Sequence, residues 1–288
     1  MLALFLNTSK GLRVLNCLIQ ANLKEYIISV VSYNDKNTSD RSYFLIKELC
    51  LINQIIFFDR NESYSFRNSY KLAIGWQYII SDTNKLYIIH DSLLPKYRGF
   101  APTVNAMING ETKIGASIIQ SSQEYDKGNI YKQQQILLSY PIKIIEVIKL
   151  LEDAYEKLTL FFLMEIISGK QINTIPQDEN QATYSLWRNE FDYFIDWEWS
   201  SFKIKRFVDA VSFPYDFAKT SLNGEIYRVE EVEIYEDVYI ENRVSGKQIF
   251  LIDSCPVIVC GQGLIKLINV KDLDGKVVIF KNFRNKFK

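Results

Sequence analysis

Apolar stretches of strand length alternate with helix-patterned stretches through the first 120 residues, and this alternation restricts the fold more than any other feature of the chain. Leu2 to Leu6 reads as a buried strand, Gly11 to Ala21 as a helix and Tyr26 to Tyr33 as a second strand. Asp40 to Leu51 is helical, with Phe44, Leu45 and Leu49 at helical spacing, and Gln54 to Phe58 reads as a third strand. Lys71 to Gly75 and Lys85 to Ile89 add two short strands, Ala101 to Ile108 a helix and Gly115 to Gln120 a further strand. A parallel neighbour in a sheet is reached only by a crossover. The pattern therefore predicts an α/β fold with a doubly wound, Rossmann-like sheet. Ligands of such sheets bind beyond the carboxyl ends of the strands.

Pro141 opens a long helix, in which Ile144, Ile145, Ile148, Leu151, Tyr155, Leu158 and Phe162 share one face, and Gly169 ends it. The polar stretch 169–184 has no apolar period and holds the best linker, 171–184. Beyond it lie one short helix, Phe202 to Val211, and strand-like runs at Ile226–Ile234, Val238–Ile240, Gln248–Ile252, Pro256–Cys260, Leu264–Val270 and Lys276–Phe280, punctuated by glycines. Many short strands with glycine turns predict a small β-barrel of OB-like type or a sandwich. The expected division is a first domain over 1–170, the linker, and a β-rich domain over 185–288.

Lys+Arg and Asp+Glu balance at 34 each, which argues against a chain that lives on nucleic acid, where a basic surface supplies most of the affinity. The only late basic run, Lys281 to Lys288, reads as a solvated end. Cys17, Cys50, Cys255 and Cys260 form no CxxC pair and have no histidine near them, so buried free thiols are expected and no metal. The apolar start lacks a basic leader region and is broken at Asn7-Thr8-Ser9-Lys10-Gly11, so it reads as strand, turn and helix. No run is long and apolar enough to span a membrane, and the expected location is the cytoplasm.

The chain has one histidine, His90, at the carboxyl end of a predicted strand. A lone histidine there is commonly a hydrogen-bonded structural residue. Its context is more specific: His90-Asp91-Ser92-Leu93-Leu94-Pro95-Lys96-Tyr97-Arg98-Gly99. This loop resembles the signature of the folate-dependent N-formyltransferases. Downstream, Gly115 to Gln120 followed by Tyr125-Asp126-Lys127-Gly128 is similar to the second motif of that family, and upstream Leu72 to Ile80 is similar to its pteridine-pocket strand and loop. Leu186-Trp187-Arg188, Phe194 to Trp197 and Phe213-Pro214-Tyr215 more faintly resemble the carboxyl-terminal barrel of the two-domain members, the methionyl-tRNA formyltransferase-like branch.

The resemblance implies N10-formyltetrahydrofolate as formyl donor, with no metal. It implies His90 and Asp126 as catalytic residues, and Trp76, Gln77, Tyr78, Ile80, Gln120 and Tyr125 as folate contacts. An amine that attacks a formyl carbon must lose a proton. An imidazole titrating near neutrality can accept it, and a carboxylate beside it can orient the ring. Lys10, Ser92, Lys96 and Arg98 are candidate contacts to an anionic substrate, Lys10 because it opens a helix. One departure stands out: the family places Asn two residues before the histidine, where its amide donates to the formyl oxygen, and this chain has Ile88. Loss of such a donor costs on the order of 10²–10³ in rate. Gln77, Tyr78 and Asn105 are possible substitutes.

The loop's HDSLLPKYRGF form is closer to formyltransferases that act on nucleotide-linked amino sugars, and neutrality disfavours tRNA. The expected acceptor is therefore an amino-deoxy sugar on a nucleotide, used for O-antigen or another surface glycan. Two alternatives stay open: a methionyl-tRNA formyltransferase, and a folate- or nucleotide-sugar-binding protein of this fold impaired at Ile88. The family often forms dimers.

Overall fold

The computed structural model describes residues 1–35 and 40–288. The chain divides into two compact units, one of Met1–Gly99, Lys113–Ile136 and Lys149–Ser185, the other of Phe100–Thr112, Leu137–Ile148 and Leu186–Lys288. In chain order the elements begin with β1 (Leu2–Leu6), α1 (Thr8–Gln20), β2 (Ile27–Ser32), α2 (Ser42–Ile52), β3 (Phe57–Asp59), β4 (Tyr70–Ile74) and β5 (Leu86–His90). They continue with β6 (Arg98–Gly99), α3 (Pro102–Asn109), β7 (Lys113–Gln120), β8 (Ile130–Leu137), α4 (Ile144–Ile167) and β9 (Tyr184–Ser185). The rest are α5 (Ser201–Ala210), β10 (Ala218–Leu222), β11 (Glu225–Tyr235), β12 (Gln248–Ile252), β13 (Cys255–Val259) and β14 (Leu264–Lys271).

The main sheet has the order β3-β2-β1-β4-β5-β7-β8. It is parallel from β3 to β5, as the alternation predicts, and β7 runs antiparallel to β5. The architecture is mixed α/β and Rossmann-like. β8 is absent from the sequence reading because Lys132-Gln133-Gln134-Gln135 interrupts its apolar pattern. The third strand forms at Phe57–Asp59, a few residues later than expected.

Side-chain alternation sends the two faces of the sheet to different coverings. Tyr87 meets Phe162 of α4, and the Tyr155 hydroxyl of α4 lies 3.2 Å from the Ile89 carbonyl oxygen, so this face packs on a helix. In α1, Gly11, Val14, Leu15 and Leu18 are buried, and a Cβ at Gly11 would lie 3.0 Å from Leu6 Cβ. The opposite face gathers Ala3, Phe5, Val31, Ala73 and Leu86 with Phe66, and Ile28, Phe58, Tyr64, Trp76, Ile80 and Ile88 pack against them. Among the described residues no helix residue takes part in that cluster. It is closed by aromatic side chains: Phe5 makes edge contacts with Tyr64, Phe66 and Trp76.

In the second unit five antiparallel strands follow the order β10-β11-β14-β13-β12. Asn223-Gly224 and Asp253-Ser254 take positive φ at both positions, as tight two-residue hairpins require. The edge strands β10 and β12 are not paired with each other, so strand pairing alone does not close the expected OB-like barrel. Val238–Ile240 and Lys276–Phe280 are not strands; Tyr239, Val277 and Ile279 project from them largely exposed. The final segment, read as a solvated end, is instead bound in place. Phe287 is buried, Lys288 exchanges backbone hydrogen bonds with Ser221 of β10, and Gln248 of β12 donates to the Asn285 carbonyl.

Candidate functional site

β5 ends at His90, whose side chain falls on the aromatic face with Leu86 and Ile88. The ring is largely buried. Nε2 lies 2.9 Å from the Tyr97 carbonyl oxygen, and Nδ1 lies 3.4 Å from Asp126 Oδ1. A carbonyl can only accept, so Nε2 carries the hydrogen and Nδ1 is the nitrogen left to exchange a proton with its surroundings. Asp126 comes from the loop between β7 and β8, where its backbone is left-handed at φ 55°. Its Oδ2 accepts from the Gly99 backbone N–H at 2.8 Å, and its backbone carbonyl accepts from the Gln177 amide at 2.7 Å. Gly128, two residues on, is pinned against β7: a Cβ there would stand 1.6 Å from the Gln120 carbonyl oxygen.

Expectation and structure part at the loop's polar residues. Arg98 is fully buried, and its five N–H donors make five hydrogen bonds, to Gln177 Oε1 twice, to both Glu179 oxygens and to Tyr184 Oη. Glu179, then Tyr184, raise the affinity of the guanidinium for its proton. A substrate anion finds no donor left, so the reading of Arg98 as a substrate contact gives way to one of loop anchor. Ser92 is buried and donates to the Lys96 carbonyl, which closes the turn. Lys96 is exposed. Lys10 pairs with Asp91 by a short ion pair, so its ammonium faces a carboxylate of the protein itself. Gln177 and Glu179 are the residues the sequence did not reveal. They lie in 171–184, read as linker, and only their polarity marks them in the chain.

The folate candidates sit around the aromatic face. Trp76 makes edge contacts with Phe5 and Tyr33, and its buried Nε1 has no hydrogen-bond acceptor among the described residues. Gln77 and Tyr78 are exposed, with Tyr78 against Tyr33 and under the Arg60 guanidinium. Gln120, at the end of β7, and Tyr125, in the loop after it, are exposed. Ile80 lines a cavity of about 490 Å³ together with Phe5, Tyr64, Phe66, Lys71 and Asp82. Ile88 packs into the apolar cluster and offers no donor. Of its possible substitutes, Asn105 lies in the second unit, where its amide donates to Ala101 and accepts from Arg188. Among the described residues no group of three or more His, Cys, Asp or Glu is placed to hold a metal ion, and no helix is long and apolar enough to cross a membrane.

Residues 67–152 match the formyl transferase domain model, and residues 189–288 match the model of the formyl transferase C-terminal domain. The chain belongs to the formyltransferase family. Among the relatives of this family member, methionyl-tRNA formyltransferase of Borreliella afzelii is 30% identical over 200 residues, 68% of this chain and 62% of that protein. The Fusobacterium nucleatum enzyme of the same name is 30% identical over 191 residues, 66% of this chain and 57% of that protein. The chain thus spans less than two thirds of the length of the curated relatives it matches. WlaRD, a sugar 3N-formyl transferase solved with dTDP and 5-N-formyl-THF, superposes with a TM-score of 0.72 at 18% identity, covering 95% of this chain and 97% of that one. The N-formyltransferase of Helicobacter canadensis, in complex with folinic acid and dTDP-3-aminofucose, gives 0.72 at 17% identity, over 92% and 98%. Methionyl-tRNA formyltransferase from Clostridium thermocellum gives 0.57 at 15% identity, over 81% and 93%. At these identities the likeness is one of fold.

Proposed function

We propose that this chain is a cytoplasmic enzyme that transfers a formyl group from N10-formyltetrahydrofolate to the amine of a nucleotide-linked amino-deoxy sugar, for O-antigen or another surface glycan. The observation that carries the reading is the His90–Asp126 pair, with Nδ1 turned to the carboxylate and Nε2 fixed on Tyr97. His90 Nδ1 takes the proton released by the attacking amine, Asp126 stabilises the imidazolium so formed, and the ring then gives that proton up to the nitrogen that loses the formyl group. Gly99 and Gln177 keep Asp126 in position while the ring changes charge.

A folate fits the residues present. The cavity beside Ile80 has aromatic walls, Phe5, Tyr64 and Phe66, and a polar edge, where Lys71 and Asp82 pair at 3.0 Å. A planar fused ring with a hydrogen-bonding rim suits such walls, and the buried Trp76 Nε1 offers an unused donor. Trp76, Gln77, Tyr78 and Ile80 would hold the ring from the loop after β4, and Gln120 and Tyr125 would flank it. When bound, the folate supplies an electrophilic formyl carbon.

For the acceptor, the two neighbours solved with dTDP or dTDP-3-aminofucose match over nearly the whole of both chains, which supports a nucleotide sugar. The curated relatives favour a second reading, initiator methionyl-tRNA. The two separate on salt: tRNA binding weakens steeply as ionic strength rises, whereas nucleotide-sugar binding changes little. A thermal-shift series with folinic acid and dTDP-, UDP- and GDP-amino sugars, followed by formylation assays, tests the proposal. Stabilisation by folinic acid plus one nucleotide sugar, with formylated product, is expected. Stabilisation without turnover would instead mark a binding protein impaired at Ile88.

A further inference from the structure

Asp91 follows His90 and points to the opposite side of the strand, toward the helices. There it meets two groups. Lys10 from the first turn of α1 makes a short ion pair with Asp91 Oδ2, and the Tyr155 hydroxyl of α4 donates to Asp91 Oδ1 at 2.6 Å. The same hydroxyl lies 3.2 Å from the carbonyl oxygen of Ile89, the residue before His90. Tyr155 is fully buried, and the Lys10 ammonium stands 5.5 Å from its ring centroid. Two helices, α1 and α4, thus converge on the two residues that flank His90.

We propose that Lys10, Asp91 and Tyr155 are positioning residues that clamp the carboxyl end of β5 and keep the electric field at the His90 ring balanced. Both charged side chains are partly withdrawn from water, so the pair carries a desolvation cost that an apolar contact at this spot would not. The arrangement places one positive and one negative charge behind the ring. Each charge offsets the other's field behind the ring. The charged and titratable groups around His90 are Asp126 on its own side, and Asp91, Lys10 of α1 and Tyr155 of α4 through the strand. Its partner in β7, Ser117, is uncharged. Burial opposes the charge on Asp91, yet Lys10 and Tyr155 outweigh it and hold the carboxyl below the usual carboxylate range, with His90 contributing in the same direction. Asp91 and His90 therefore sense one another.

Because His90 is the only histidine, its ring signals titrate alone in the NMR spectrum of the intact protein, with no substrate present. Lys10→Met removes the positive charge and is expected to move the titration midpoint to higher pH. Asp91→Asn removes the negative one and should move it lower. Each shift is about 0.5–1.5 pH units, the size of one unbalanced charge several ångströms away in a medium of effective dielectric about 20–40. The double variant Lys10→Met/Asp91→Asn should return close to the original midpoint, and Lys10→Arg should leave it in place. Mere loosening of the strand would drive every variant the same way, so midpoints that stay put or move in one common direction overturn the proposal. Should Asp91→Asn fail to fold, Lys10→Met and Lys10→Arg decide the matter between them, since only the first removes charge. The inference rests on the reading of His90 as proton carrier only for its meaning in catalysis. A titration that behaves as expected in a protein that formylates nothing would uphold the clamp and sink the function, and the reverse result would do the opposite.

Discussion

The two sides of the end of β5 use the same kinds of residue for opposite ends. On the helix side Asp91 is crowded by Lys10 and Tyr155, both its carboxylate oxygens are engaged, and burial followed by Asp91 drives the Tyr155 hydroxyl far above its ordinary range. On the aromatic side His90 and Asp126 stand 3.4 Å apart with one ring nitrogen still open to exchange, and the same face carries a tryptophan donor without an acceptor among the described residues. One side is saturated and the other is left wanting. Reactivity belongs where hydrogen-bonding capacity is unspent, and rigidity where it is used up.

Substitutions sharpen this contrast, and the largest effect falls on the unsaturated side. His90→Ala is expected to lower formyl transfer by roughly 10²–10⁴-fold, with little change in urea midpoint. A large fall in stability would place His90 among the structural residues instead. On the same side, Ile88→Asn supplies a donor next to the pair and is expected to raise turnover, by up to about 10²-fold if no other group already fills that role. No gain in single-turnover rate would mean that the donor exists elsewhere. On the saturated side Phe162→Ala should cost about 3–5 kcal/mol in urea unfolding, the usual penalty for emptying an aromatic site in a helix-packed core. Arg98→Met, which leaves Gln177 and the loop without their donors, should cost roughly 1–3 kcal/mol, and Arg98→Lys should not restore it, because an ammonium cannot reproduce the fork.

The smallest effect is a pH dependence. The Asp91 carboxyl is held below its unfolded value, so the stability it contributes is complete above roughly pH 4 and fades as pH falls through the folded value. Urea midpoints between pH 7 and pH 3 should fall less in Asp91→Asn than in the parent protein. Equal slopes would show that Asp91 adds nothing to acid sensitivity.

What the chain discloses on reading, and what it withholds, follows the range of the interactions. Leu2–Leu6, the α1 stripe and the long α4 stripe are local periodicities, and the folded elements track them closely. His90 stands out because it is unique and its loop is distinctive. The pairing of Arg98 with Glu179 spans about eighty residues, and no pattern in either segment announces it. The pairing of Lys10 with Asp91, after another strand, is hidden in the sequence for the same reason. β8 was hidden because a strand at the sheet's border exposes much of its length and tolerates Lys132 and three consecutive glutamines.

The ties made by Gln177 and Glu179 bear on how this protein can be re-engineered. The stretch 171–184 is polar, proline-containing and close to the change from α/β to β texture, so it is the natural place to splice modules from different relatives. Splicing there would exchange the residues that hold the Asp126 loop and satisfy Arg98. A chimera joined within this stretch would then inherit a misplaced carboxylate, and the loss would be blamed on the module that was swapped in. Junctions placed after Ser185 keep donor and acceptor in one parent.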